Sequence, residues 1–395
     1  MEKTKLSEIY FSSYKKFDGE NHVKIKPITI LVGKNSSGKS SISKLFSIYE
    51  ASLSGKQSVP FKFDNDGVSI GTSFADVAHD GNNIGLSFGV KYDDGLDIRL
   101  DFISVNGKKD FWIKTYTVTY NGHKHLLEQQ KDKTIYIDKA TSKEYSINGF
   151  RGFINEDFLK DCGVANWDKY VINTDYIGPF RICPQRTYSL QSSSCYKKIG
   201  IDGIQAYNNL ICSERLCVAV SDWYYTSFGS SLEVDNLDAG IFSIKLSRKT
   251  SDHKVNISDE GQGMGQILPI AVRCYMEDED DTIIVVEQPE LHLHPAVHNS
   301  VAAMFANTSL SNKHRYIIET HSKNILLGIR SAVVDESIPL KKEDVVIYFV
   351  DDTDGAASLR EITINEKGEL SDWPEGVFNE AYEQIKLLHK LSEEL

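Results

Sequence analysis

The sequence predicts an α/β fold: a β-rich first lobe, a mostly parallel α/β sheet and a helical second lobe. Three observations predict it. A β-branched apolar run opens onto a glycine- and serine-rich turn and a helical pattern near the N-terminus, a period-two region with turn signals follows, and apolar helices and strands alternate from Ile267 onward. With 395 residues, of which 41% are hydrophobic, the chain can bury a large core. Its length suggests two or three units on a scale of ~100 to 200 residues each. We expect a first lobe over 1–150, a connecting region over 151–250, a second lobe over 251–335 and a C-terminal extension over 336–395.

Taken in order, Ile28-Thr29-Ile30-Leu31-Val32 reads as a buried strand that Gly33 breaks. Ile42, Leu45, Phe46 and Tyr49 then share one helical face, ending toward Gly55. Between Leu86 and Tyr120, turn signals at Asp93-Asp94-Gly95, Asn106-Gly107 and Asn121-Gly122 separate strands such as Phe111–Ile113 and Tyr116–Val118, an antiparallel meander. The Lys-rich stretch His123 to Glu144 reads as a loop or exposed hairpin, and Ala206 to Trp223 as a helix. A β-like piece lies near Ile241–Ile244. Helix Ile267–Glu277, strand Thr282–Val286, helix His298–Ala306, strand Tyr316–Glu319, helix Ser322–Arg330 and strand Val345–Val350 complete the α/β part. No internal repeat and no sustained heptads are present.

The formal charge of −12 argues against a generally basic nucleic-acid or anionic-membrane binder. Six cysteines without a CxxC pair suggest neither a zinc hook nor a disulfide framework, and no apolar run approaches the ~20 residues of a membrane span. A cytoplasmic location is expected.

Gly33-Lys34-Asn35-Ser36-Ser37-Gly38-Lys39-Ser40 satisfies GxxxxGK[ST] between a predicted strand and a predicted helix, the context a phosphate-binding P-loop requires. Backbone N–H groups of the loop and of the helix N-terminus, through Ser41, wrap phosphates; Lys39 reaches the β- and γ-phosphates and Ser40 binds Mg²⁺. ATP and Mg²⁺ are therefore the expected cofactors. The apolar strand Thr282–Val286 ends in Glu287, a Walker B arrangement expected beside the P-loop strand, with Glu287 carried to the metal. His292 and His294 are too few for a metal centre. His321 follows the strand Tyr316–Glu319 at the edge where ligands bind in open α/β sheets. Ser258 to Gln266 is a glycine-rich loop leading into the helix from Ile267, an anion site by geometry.

In this order, the P-loop, the glycine-rich pre-helix loop, EQPELHLHP and ETHS resemble the ABC-type ATPase heads of the structural-maintenance (SMC) and RecF-like class. The likeness is closer to compact prokaryotic AAA-family ATPases related to the ATPase half of overcoming-lysogenization-defect (OLD) nucleases. Tyr176 to Arg186 (YIGPFRICPQR) resembles that subgroup's YxGPxRxxPxR segment, and Gly368 to Phe378 its short C-terminal domain of unknown function. Gly71 to His79 resembles a segment near the nucleotide, without an assigned role. The resemblance implies a head that dimerises, or forms a higher homo-oligomer, around ATP. Glu287 would hold Mg²⁺, and His321 would sense the γ-phosphate. Gly263, Gly265 and Gln266 would belong to the signature capping the other subunit's nucleotide, with His294 and Pro295 at the interface. The usual catalytic carboxylate after Glu287 is here Gln288, which implies slow hydrolysis, or water positioned by Glu290 or His321. The resemblance further implies a switch controlling a protein effector, a nuclease or toxin in anti-phage defence.

Two other readings compete. A nuclease in its own right would use Asp351, Asp352 and Asp354, although a polar β-turn explains that run better. A DNA-binding repair head would use Arg181, Arg186, Lys197 and Lys198 with Tyr188 and Tyr196, against the acidic run Glu277 to Asp281. A transporter subunit fits least, because the signature is not the transporters' LSGGQ.

Overall fold

In the computed structural model, which describes residues 3–81, 85–105, 110–130, 134–248, 253–353 and 355–373, the run Ile28–Gly33 is a strand with side chains in two cores. Leu31 joins Ile42, Leu45, Phe46 and Tyr49 of the helix Lys39–Leu53 on one face. Ile28, Ile30 and Val32 join the other face, beneath the helices Gln262–Tyr275, His298–Ser311 and Lys323–Val334. A strand apolar on both faces is what a parallel sheet covered by helices on both sides needs.

A 14-stranded sheet runs through the molecule. Its antiparallel half is ordered Glu144–Ser146, Ile135–Asp138, His123–Gln129, Asp110–Tyr120, Asp97–Val105, Ser87–Tyr92, Leu6–Tyr14 and Phe17–Lys24. The hairpin Val345–Thr353/Ala356–Ile362 connects it to the parallel half, which continues as Ile28–Gly33, His314–Glu319, Thr282–Glu287 and Asn173–Ile177. The C-terminal region from 336 thus supplies two strands of the central sheet, and 151–250 supplies its edge strand. That middle region also carries a smaller antiparallel sheet built on the hairpin Ser230–Asp238/Ile241–Arg248.

Four local expectations change. The Walker B strand is not next to the P-loop strand, because His314–Glu319 pairs with both and separates them. Phe111–Ile113 and Tyr116–Val118 belong to one strand, Asp110–Tyr120; Asp101 pairs with Thr115 and Phe102 with Ile113, which leaves Lys114 as a bulge. His123 to Glu144 is largely sheet, because alternate residues such as Leu127 and Tyr136 are fully buried. The helix expected over Ala206–Trp223 is two, Gln205–Cys212 and Glu214–Phe228, broken where Ser213 leaves helical geometry and caps the Leu216 N–H.

Candidate functional site

The parallel strands end together at one rim, and the P-loop lies there. Gly33 has a left-handed φ of 153°, and a Cβ on it would stand 2.2 Å from the Val350 carbonyl of the neighbouring strand, so only glycine fits. Gly38, at φ 111°, precedes the helix Lys39–Leu53, whose first turn carries Ser40 and Ser41. The Lys39 ammonium donates to the Gly33 carbonyl at 3.0 Å and the Lys34 carbonyl at 2.6 Å. Burial lowers its proton affinity, opposed by the charges of Glu319 and Glu287.

A cavity of about 780 Å³ opens over this loop. Asn35, Ser36, Gly38, Lys39, Ser40 and Ser41 form one wall, and Gln288, Glu319 and His321 the floor. The remaining lining comes from Lys15 and Lys16 in the turn between the first two strands and from Ala75, Asp76, Ala78, Asp80 and Gly81. This assigns a place to the segment Gly71 to His79. Ser73 caps its short helix Phe74–Val77, and Thr72 and Ser73 donate to Asp76, holding that carboxyl down at about 2. His79 Nδ1 lies 2.7 Å from the Lys15 carbonyl and ties the two parts of this lining together.

Two carboxyls meet beside the P-loop. Ser40 Oγ donates to Glu319 at 2.8 Å, and Ser43 Oγ to the same carboxylate at 3.1 Å. Glu287, the Walker B carboxylate, is the registered neighbour of Glu319 in the sheet and accepts from the Tyr176 hydroxyl. Burial, then the charge of Glu319, pushes Glu287 up to about 7; burial also raises Glu319. Glu319 was not singled out from the sequence, although it carries the same signal as Glu287, a carboxylate closing an apolar strand.

Gln288 adopts a left-handed φ of 46°, its N–H donating to the Glu319 carbonyl at 2.8 Å, and the residue lines the cavity. Glu290 does not line it: its carboxylate accepts from Thr320 Oγ1 at 2.8 Å and from the His321 N–H at 2.7 Å, fixing the loop that presents His321. Burial, then the positive charge of Lys39, lowers the affinity of His321 for a proton.

The glycine-rich segment is already helical, because its helix starts at Gln262, five residues before the expected Ile267. A Cβ on Gly263 would stand 2.5 Å from the His292 carbonyl, and one on Gly265 2.1 Å from Pro184. Gln266 donates to the Arg181 carbonyl at 3.2 Å. These three residues do not line the cavity of their own chain. His294 caps the turn Pro295–Val297.

The competing readings fare differently in space. Asp352 pairs with Lys16 and accepts from the Gly355 N–H, and Asp351 accepts from the Asp352 N–H, a turn network; Asp354 lies outside the described residues. Among the described residues, no three His, Cys, Asp or Glu side chains form a metal-binding group. The expected basic-aromatic stretch is dispersed, because Arg181 and Tyr188 are buried, Arg186 pairs with Asp259, and Lys198 pairs with Glu50 and Asp66. The acidic run is likewise partly engaged: Asp278 pairs with buried Arg273 and Asp281 with Arg315. Among the described residues, no helix is long and apolar enough to cross a membrane.

The donor set fits a nucleotide with a divalent cation. Burial and mutual repulsion raise the proton affinity of the two adjacent carboxyls, a cost that a bound cation would relieve, and glycine-shaped backbone beside Lys39 is what a polyphosphate needs. Ser40, Glu287 and Glu319 would hold the Mg²⁺, which supplies charge neutralisation at the phosphates when bound.

Residues 195–326, which include the Walker B strand and His321, match the profile of the AAA ATPase domain. Residues 340–388 match that of a protein of unknown function (DUF3696). No curated protein matches the chain. The fold is similar to the SMC head bound to the C-winged helix domain of ScpA, with a TM-score of 0.50 at 12% identity over 91% of this chain and 98% of that one. The SMC head domain from Thermotoga maritima aligns with a TM-score of 0.43 at 12% identity, over 90% of this chain and 98% of that one.

Proposed function

We propose that this chain, an ABC-type ATPase head of the RecF/SMC-like class, works as an ATP-driven switch: two copies close around two nucleotides, slow hydrolysis reopens them, and the two states differ in their hold on a protein partner. The observation that carries the reading is that Lys39, Ser40, Glu319 and His321 line one cavity, with Glu287 the registered neighbour of Glu319 just behind it and an amide, Gln288, where a general base would stand. An amide cannot take a proton from water, so closure should outlast binding. The helix starting at Gln262 has no side-chain cap, and Gly263, Gly265 and Gln266 lie off their own chain's cavity, which supports a role against a second copy's nucleotide.

Only contacts that differ between the closed and open states can transmit such a signal, and the γ-phosphate region of Lys39 and His321 is where they would arise. An effector of the nuclease or toxin kind, a defence setting and a relation to OLD enzymes rest on the resemblance alone. The test is Mg²⁺-dependent ATP turnover and nucleotide-dependent dimerisation of the purified chain, each beside Lys39→Ala. Equal turnover in the two proteins would overturn the ATPase reading.

A further inference from the structure

We propose that Tyr176 and Arg181, delivered by the edge strand Asn173–Ile177 and the turn after it, are positioning residues that set the Glu287–Gln288 turn for ATP hydrolysis. The inference rests on the ATPase reading and assigns a role to the segment YIGPFR.

The edge strand runs parallel to the Walker B strand with Tyr176 opposite Val285 and Ile177 opposite Val286, so its end arrives beside Glu287. Arg181 is 5% exposed. Its guanidinium donates to the Gly178 carbonyl at 3.1 Å, the Glu287 carbonyl at 3.0 Å and the Gln288 carbonyl at 3.1 Å. Burying a cation is costly unless it is engaged, and here both terminal nitrogens are engaged by backbone oxygens, including those of the successive residues Glu287 and Gln288, while Nε has no partner. A planar fork can bind two successive carbonyls at once, whereas an ammonium is a single point donor.

The conformation held is an unusual one. Gln288 is left-handed without being glycine, and it is fixed from both ends: Arg181 on its carbonyl, the Glu319 carbonyl on its N–H. That backbone turn brings Gln288 to the lining of the cavity over the P-loop. Tyr176 acts on the preceding residue, its hydroxyl donating to the Glu287 carboxylate and selecting one orientation of it. Neither Tyr176 nor Arg181 lines the cavity, so both act through the turn.

The test uses the full chain as Tyr176→Phe and Arg181→Lys, with steady-state ATP turnover, KM and the thermal unfolding midpoint measured for each. We expect kcat to fall about tenfold or more and KM to stay within about threefold, the split that marks lost positioning rather than lost binding. Tyr176→Phe removes one oxygen and keeps the ring, so it carries the test if Arg181→Lys does not fold. Turnover abolished by Lys39→Ala yet unchanged in the two variants overturns the positioning role and leaves the ATPase reading standing. Turnover indifferent to Lys39→Ala overturns the reading itself and the proposal with it.

Discussion

Glu287 and Glu319 stand side by side as registered partners at the ends of adjacent parallel strands, and Ser40 bonds to Glu319, not to the Walker B residue. The two carboxyls beside the P-loop are therefore carried by two adjacent strands.

From that arrangement we expect Glu319→Gln to weaken the Mg²⁺-dependent part of ATP affinity as much as Glu287→Gln does, by roughly tenfold each on the scale of one charge-assisted contact. Titration of a fluorescent ATP analogue with Mg²⁺ and with EDTA measures it. An Mg²⁺ dependence intact in Glu319→Gln would return the role to Glu287 alone.

Gln288→Glu should raise turnover about 10- to 100-fold by supplying the missing base, since positioned general bases contribute ~10² to 10⁴. The wild-type chain should correspondingly accumulate as an ATP-bound dimer under turnover conditions. Single-turnover kinetics with light scattering would reveal a variant no faster than wild type, and the water-activating group would then lie elsewhere.

Phe180 is 88% exposed, next to Arg181, which grips the Glu287–Gln288 turn. A large aromatic so placed has the character of an interface anchor. Phe180→Asp should weaken nucleotide-dependent dimerisation about tenfold or more and leave ATP binding by the monomer unchanged. Sedimentation velocity across a concentration series decides it, and an unaltered dimer would place Phe180 outside the interface.

At the opposite end of the parallel strands, His314 is buried against Asp278 at 3.0 Å and Arg273 at 3.3 Å. Burial holds its proton affinity below the ordinary histidine value, although Asp278 opposes this. The unfolded chain then binds the extra proton, so this contribution is complete above about pH 6.5 and is lost as pH falls through the folded-state value, at no more than about 1.4 kcal/mol per pH unit for one proton. Urea unfolding between pH 8 and 5 should show the loss, and His314→Gln should flatten it. An unchanged slope would assign the acid sensitivity to other groups.

The P-loop, the Walker B strand and His321 were legible because each is a local pattern: a glycine spacing before a helix, or an apolar run ending in a polar residue. The burial of Ile42, Leu45, Phe46 and Tyr49 followed from the helical period alone. Four features were decided only by tertiary structure: the insertion of His314–Glu319 between the two motif strands, the bond from Ser40 to Glu319, the Arg181 grip on Glu287 and Gln288, and the cavity lining from Ala75, Asp76 and Ala78. Strand order in a parallel sheet is set by which apolar faces the crossover helices can cover, and contacts such as Ser40–Glu319 join residues 279 positions apart. A period of two or of 3.6 residues specifies which face of an element is buried; it carries no information about which distant strand lies beside it.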